Sequence, residues 1–103
     1  MIIAKVKFQD SCYKRFECSG HAEYAEKGQD VICAAVSTLV INTANSIEKL
    51  TNNNFKAYND GNLIRYEFKS LPDEKATLLM DSLLLGLKEI QKEYGKKYLR
   101  LEI

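Results

Sequence analysis

Apolar and polar positions alternate along the first residues of the chain: Ile2, Ala4, Val6 and Phe8 fall on one side, Ile3, Lys5 and Lys7 on the other. A period of two predicts a strand with one dry and one wet face. Past Gln9-Asp10-Ser11 the alternation resumes from Tyr13 to Cys18, with Phe16 and Cys18 opposed to Arg15 and Glu17. A second strand is therefore predicted to return beside the first as a hairpin. Ser19 to Asp30 breaks both periods and contains Gly20 and Gly28. It reads as a connecting loop of about a dozen residues, with the two glycines as its expected hinges, and loops of that length often carry function.

Asp30 is a good N-cap for a helix from Val31 to about Leu50, where Ile32, Val36, Leu39, Val40, Thr43, Ile47 and Leu50 recur at steps of three and four. The first half is apolar nearly all round, so a second cover is expected, either the preceding loop or another subunit. Asn52 to Asn54 ends the helix. Phe55 to Asn59 and Leu63 to Lys69 flank Asn59-Asp60-Gly61-Asn62, a strong hairpin signal because glycine tolerates positive φ. Pro72 suits the first turn of a second helix, whose Ala76, Leu79, Met80, Leu83, Leu87, Ile90 and Tyr94 trace one face until Gly95. Lys96 to Ile103 closes the chain with a further alternation. The order is ββαββαβ, and the fold predicted is α+β: two amphipathic helices packed on a largely antiparallel five-stranded sheet, as one domain over residues 1–103. Strand order beyond the two hairpins is not fixed by the pattern.

With 103 residues, 46% of them hydrophobic and 28% charged, the chain suits one compact domain. Fifteen Lys and Arg against fourteen Asp and Glu leave +1, so no bulk field favours nucleic acid or an anionic membrane. No basic segment leads into an apolar stretch at Met1-Ile2-Ile3-Ala4-Lys5, so no secretory leader is expected. The longest charge-free run, Val31 to Ile47, carries six Ser, Thr and Asn residues and is expected to be too short and too polar to span a bilayer. Three cysteines, an odd number, suit a reducing cytoplasm and leave at least one thiol unbridged.

One histidine, His21, lies in the loop, and Cys33 follows as the third residue after Asp30. Unpaired amides and the positive end of the macrodipole favour a thiolate there. With the loop folded back, His21 and Cys33 would form a general base and nucleophile for acyl transfer, and the first helical N–H groups an oxyanion site. The plainer reading is a small buried cysteine and a polar surface histidine. Zinc is the competing chemistry, since Cys12, Cys18, His21 and Cys33 are all potential ligands. In an extended strand, however, Cys12 and Cys18 stand about 20 Å apart, whereas zinc-bound sulfurs lie only about 4 Å apart. Cys12 and Cys18 are accordingly assigned to turn and core, with no metal. Asp30 is read as N-cap or as orienter of His21, and Ser37, one turn after Cys33, as a neighbour of the thiol or a donor to its own helix. Lys5, Lys7, Lys14, Arg15, Lys96, Lys97 and Arg100 gather near the termini, interrupted by Glu17 and Glu102.

Gly20-His21-Ala22, followed by Gly28-Gln29-Asp30-Val31-Ile32-Cys33-Ala34-Ala35-Val36-Ser37, resembles the ribosomal-processing cysteine protease family, Prp. The resemblance covers essentially the whole chain. It puts His21 on the catalytic histidine and Cys33 on the catalytic cysteine, with Asp30 and Ser37 at flanking positions. It implies a bacterial cytoplasmic homodimer without a cofactor, acting on the N-terminal peptide of a large-subunit ribosomal protein, the one numbered twenty-seven, after paired phenylalanines. Two alternatives stand beside it. One is a non-catalytic ribosome-associated adaptor using its basic strand faces, the other a zinc-dependent hydrolase.

Overall fold

The computed structural model describes residues 1–21, 30–53 and 55–103. Its elements are β1 (Ile2–Gln9), β2 (Cys12–Gly20), α1 (Val31–Leu50), β3 (Phe55–Asn59), β4 (Leu63–Phe68), α2 (Glu74–Tyr94) and β5 (Leu99–Glu102). The ββαββαβ order and the α+β class are as the periodicity predicts. The sheet order is β3-β4-β2-β1-β5, antiparallel throughout except for the pair β1 and β5.

Both predicted hairpins form. Asp10 and Ser11 close the first with φ of 53° and 64°, the handedness that matches strand twist in a two-residue turn. A bulge between Lys7 and Phe8 shifts the register, so Lys7 faces Arg15 while Phe8 faces Tyr13. The extra residue is Lys14, which brings Tyr13 onto the inner face opposite Phe8; Phe8, 43% exposed near the strand end, packs its ring on Tyr13 at 4.9 Å. In the second hairpin Asp60 Oδ1 accepts from the amides of Asn62 and Leu63, at 2.9 and 2.8 Å.

Inward residues of the sheet, Ile2, Ala4, Phe16, Cys18, Tyr66, Phe68 and Leu99, share one core with Ile32, Val36, Val40 and Ile47 of α1 and Ala76, Met80, Leu83 and Leu87 of α2. Leu50, predicted on the dry face of α1, is 69% exposed beyond the last core turn. By length and apolarity alone α1, at 20 residues, is long enough to cross a bilayer, which corrects the judgement made from its charge-free run. In this fold its buried face is committed to the sheet and α2. The open half of its first turns, Val31, Ala34 and Ala35, is exposed, so the second cover expected there is not supplied by the described residues.

Three boundaries differ from the prediction. Ser19 and Gly20 extend β2, paired with Ile3 and Ile2, because strand pairing overrides the turn preference of Ser-Gly. Pro72 lies before the helix rather than in it: Asp73 is the N-cap of α2 and accepts from the amide of Ala76. β5 is shortened to Leu99–Glu102, the part that pairs with Ile2 to Lys5. Gly28 and most of the predicted loop lie outside the described residues.

The outer face of the sheet is a row of alternating charge. Across β5, β1, β2 and β4 the register aligns Glu102, Lys5, Glu17 and Arg65. Arg65 meets Glu17 at 3.1 Å, Lys5 meets Glu102 at 4.0 Å, and Arg15 of the next row meets Glu67 at 3.4 Å. Each exposed pair adds little stability. Of the basic residues gathered near the termini they engage Lys5 and Arg15, and Arg100 meets Glu102 on its own strand.

Candidate active site

Asp30 begins the site. It takes an extended backbone (φ −78°, ψ 99°) as N-cap of α1, and its Oδ1 accepts from the amides of Ile32 and Cys33, both at 3.0 Å. Its carbonyl accepts the amide of Ala34 at 3.1 Å. The cap reading of Asp30 is therefore realised, and of the first helical amides expected to hold an oxyanion, those of Ile32 and Cys33 are spent on the carboxylate. That carboxylate also opposes the positive end of the helix dipole. A thiolate at Cys33 consequently gains less from the helix than the sequence suggested, and a cationic neighbour matters more.

Cys33 is half-buried against the core cluster. His21 directly follows the last residue of β2 and is exposed. Gly20, with φ +88°, sets the chain direction there, and an added Cβ would stand 2.3 Å from the carbonyl oxygen of Met1. The structure thus joins Asp30 and Cys33 by a hydrogen bond, and roots His21 at the strand end that leads toward them. Ser37 is exposed one turn beyond Cys33.

Cys12 and Cys18 both lie on β2, six residues apart, as the argument against shared zinc ligation assumed. Among the described residues no three His, Cys, Asp or Glu side chains are placed to hold one metal ion. Cys18 is buried, and burial pushes its thiol up from 9.0 to about 11, with a smaller contribution from the charge of Cys33. That coupling between two cysteines was missed from sequence, where alternation marked Cys18 as inward but not what it would face. Tyr66, fully buried on β4, was also missed: its hydroxyl donates to the carbonyl of Val40 on α1.

A family model described as "Cysteine protease Prp" matches residues 1–99. The chain belongs to the cysteine protease Prp family. A Prp of Bacillus subtilis (strain 168), named "Ribosomal processing cysteine protease Prp", is 33% identical over an alignment of 87 residues, with 77% of this chain and 76% of that protein covered. The crystal structure of the ribosomal processing protease Prp from S. aureus with a covalently linked product peptide superposes with a TM-score of 0.91, at 27% identity, over 99% of this chain and 98% of that one. A second S. aureus Prp structure, with a substrate peptide, gives a TM-score of 0.85 at 26% identity, over 99% and 98% of the two chains. As a Prp the chain is a cysteine protease, and its half-buried helix-start thiol is where such chemistry can sit.

Proposed function

We propose that this Prp removes the N-terminal extension of a large-subunit ribosomal protein, the one numbered twenty-seven, by cutting after paired phenylalanines. The observation that carries the reading is the placement of Cys33 in the capped first turn of α1, with His21 at the root of the segment leading to it, in a chain matched to the family over residues 1–99. His21 takes the thiol proton as Cys33 attacks the scissile carbonyl, then returns it to the leaving amine. Water hydrolyses the acyl-enzyme. Asp30 fixes the first turn, so the sulfur is presented on a rigid element, and Ser37 flanks it one turn on.

The covalently linked product peptide held by the S. aureus relative supports a covalent mechanism. A cytoplasmic homodimer is part of the same proposal, supported by the exposed Val31 and Ile41 of α1 and Leu78 and Leu85 of α2. No direct contact with nucleic acid is proposed, because the formal net charge is only +1 and Lys5, Arg15 and Arg65 of the outer sheet face are paired with carboxylates. The same pairs occupy Lys5 and Arg15, two of the cations that the adaptor reading would use. The test is a peptide bearing two adjacent phenylalanines: the wild type cleaves after the second, while Cys33→Ser and His21→Ala fold and do not cleave. A Cys33→Ser variant with unchanged turnover would overturn the assignment.

A further inference from the structure

A second thiol lies under the helix that carries the proposed nucleophile. Cys18 faces inward from β2, 7% exposed, and its neighbours across the sheet are Ala4 and Ile64. One pleat away, Phe16 faces Tyr66, whose hydroxyl reaches Val40 of α1. Val40 follows Cys33 by two helical turns and shares its side of the helix.

The direction of α1 over the sheet is fixed by its far end. Asn53, just past α1, accepts from the amide of Asp73 at 2.9 Å, and Phe55 then pairs with Phe68. The carboxy-terminal end of α1 therefore sits by the Phe68 end of β4. Its amino-terminal turn lies over the opposite end, where Ser19 pairs with Leu63 and Cys18 with Ile64. From the Tyr66–Val40 contact, Cys18 is one pleat and Cys33 two turns toward that same end. Both belong to one packed cluster, Cys18 within it and Cys33 against it.

We propose that Cys18 is a resolving thiol for Cys33, so that hydrogen peroxide converts the pair into an intramolecular disulfide that silences the protease and that a dithiol reopens. The inference rests on Cys33 being the reactive thiol of the proposed mechanism. In the first step the Cys33 thiolate attacks peroxide: an S–O bond forms, the O–O bond breaks, and the departing hydroxide takes up a proton to become water. In the second, the Cys18 sulfur attacks that sulfenic sulfur: an S–S bond forms, the S–O bond breaks, and the hydroxyl leaves as water with the Cys18 proton. Two thiols and one peroxide give one disulfide and two waters. Burial keeps Cys18 protonated, so Cys33 is oxidised first. Cys12 is excluded as partner by its place at the other end of β2.

The test treats the whole protein with equimolar peroxide and reads intact mass and a non-reduced peptide map, neither of which depends on proteolytic activity. The expected result is a loss of two hydrogens, a Cys18–Cys33 cross-linked peptide, and loss of Cys33 alkylation that dithiothreitol restores. Cys12→Ser behaves as wild type, whereas Cys18→Ala, given a several-fold molar excess of peroxide, carries two or three added oxygens on Cys33 that dithiothreitol does not remove. A wild-type map showing oxygen addition at Cys33 without the cross-link, or a cross-link through Cys12 or between chains, overturns the proposal. Peptide cleavage by untreated enzyme is scored separately, so failure of the protease reading is distinguishable from failure of the disulfide.

Discussion

The carboxylate of Asp30 holds the amide of Cys33 at 3.0 Å, so the residue that starts the helix also sets a negative charge beside the proposed nucleophile. Cap and charge can be separated. Asp30→Asn keeps an oxygen that accepts from Ile32 and Cys33 but removes the charge, and so raises the iodoacetamide rate of Cys33 at a given pH. Asp30→Ala loses the cap as well, at about 1 kcal/mol of stability. If Asp30 acts as an orienter of His21, Asp30→Asn instead lowers kcat by several orders of magnitude, on the order of 10⁴ in the protease that defines that role. Alkylation against pH, a thermal melt and peptide turnover on the two variants decide between the roles, and the observed cap geometry predicts only a modest loss of turnover in the Asn variant.

Gly20→Ala should affect both stability and catalysis. The backbone there has φ +88°, and the new Cβ would meet the Met1 carbonyl at 2.3 Å. Left-handed backbone costs a non-glycine residue about 1–2 kcal/mol before that clash is counted, so Tm falls. Because His21 is the next residue, kcat is expected to fall by more than KM rises. A melt together with steady-state kinetics checks this, and a Tm loss with unchanged kcat would mean that Gly20 serves the sheet alone.

Hairpins, helix caps and dry faces were legible because each is written in a few adjacent residues: Asp60-Gly61, Asp30 before Val31, the alternation through Phe16 and Cys18. Strand order was not, since nothing local says that β2 pairs with β4 or that β5 returns parallel to β1. Gly20 was read as loop because its residue type favours turns, whereas its pairing with Ile2 is a tertiary fact. The site divides the same way. The spacing of His21, Asp30 and Cys33 could be read, and the cap at Asp30 with it. The proximity of Cys18 to Cys33 depends on which end of the sheet α1 covers, and the loss of two amides to Asp30 depends on a side-chain rotamer.

Alkaline stability carries the signature of the buried thiol. Cys18 is raised from 9.0 to about 11 by burial, so the folded state binds its proton more tightly than the unfolded chain. The stabilisation is complete below pH 9 and is lost as pH rises through about 11. Linkage puts the full effect at about 2–3 kcal/mol. Tyr13, desolvated and bonded to Asp81, and Tyr66, desolvated beside Cys18, are also raised and deepen the loss at the upper end of that range. Urea midpoints measured from pH 8 upward should fall, and Cys18→Ala should blunt the onset while leaving the tyrosine part. A flat profile in the wild type would contradict the burial of Cys18.

Tyr66→Phe isolates one hydroxyl. The ring packs against Phe16 at 5.1 Å and Phe55 at 5.4 Å, and Phe preserves both contacts. What is lost is the donor to the Val40 carbonyl. The Val40 carbonyl lies inside a continuous helix from Val31 to Leu50, where the amide of Ala44, four residues on, is its regular partner. With the hydroxyl gone the carbonyl keeps that helical partner and is not left buried without one. The cost should therefore sit near the low end for a buried hydrogen bond, about 1 kcal/mol. A loss of 3 kcal/mol or more in urea unfolding would mean that the Tyr66 hydroxyl holds α1 in its course over the sheet.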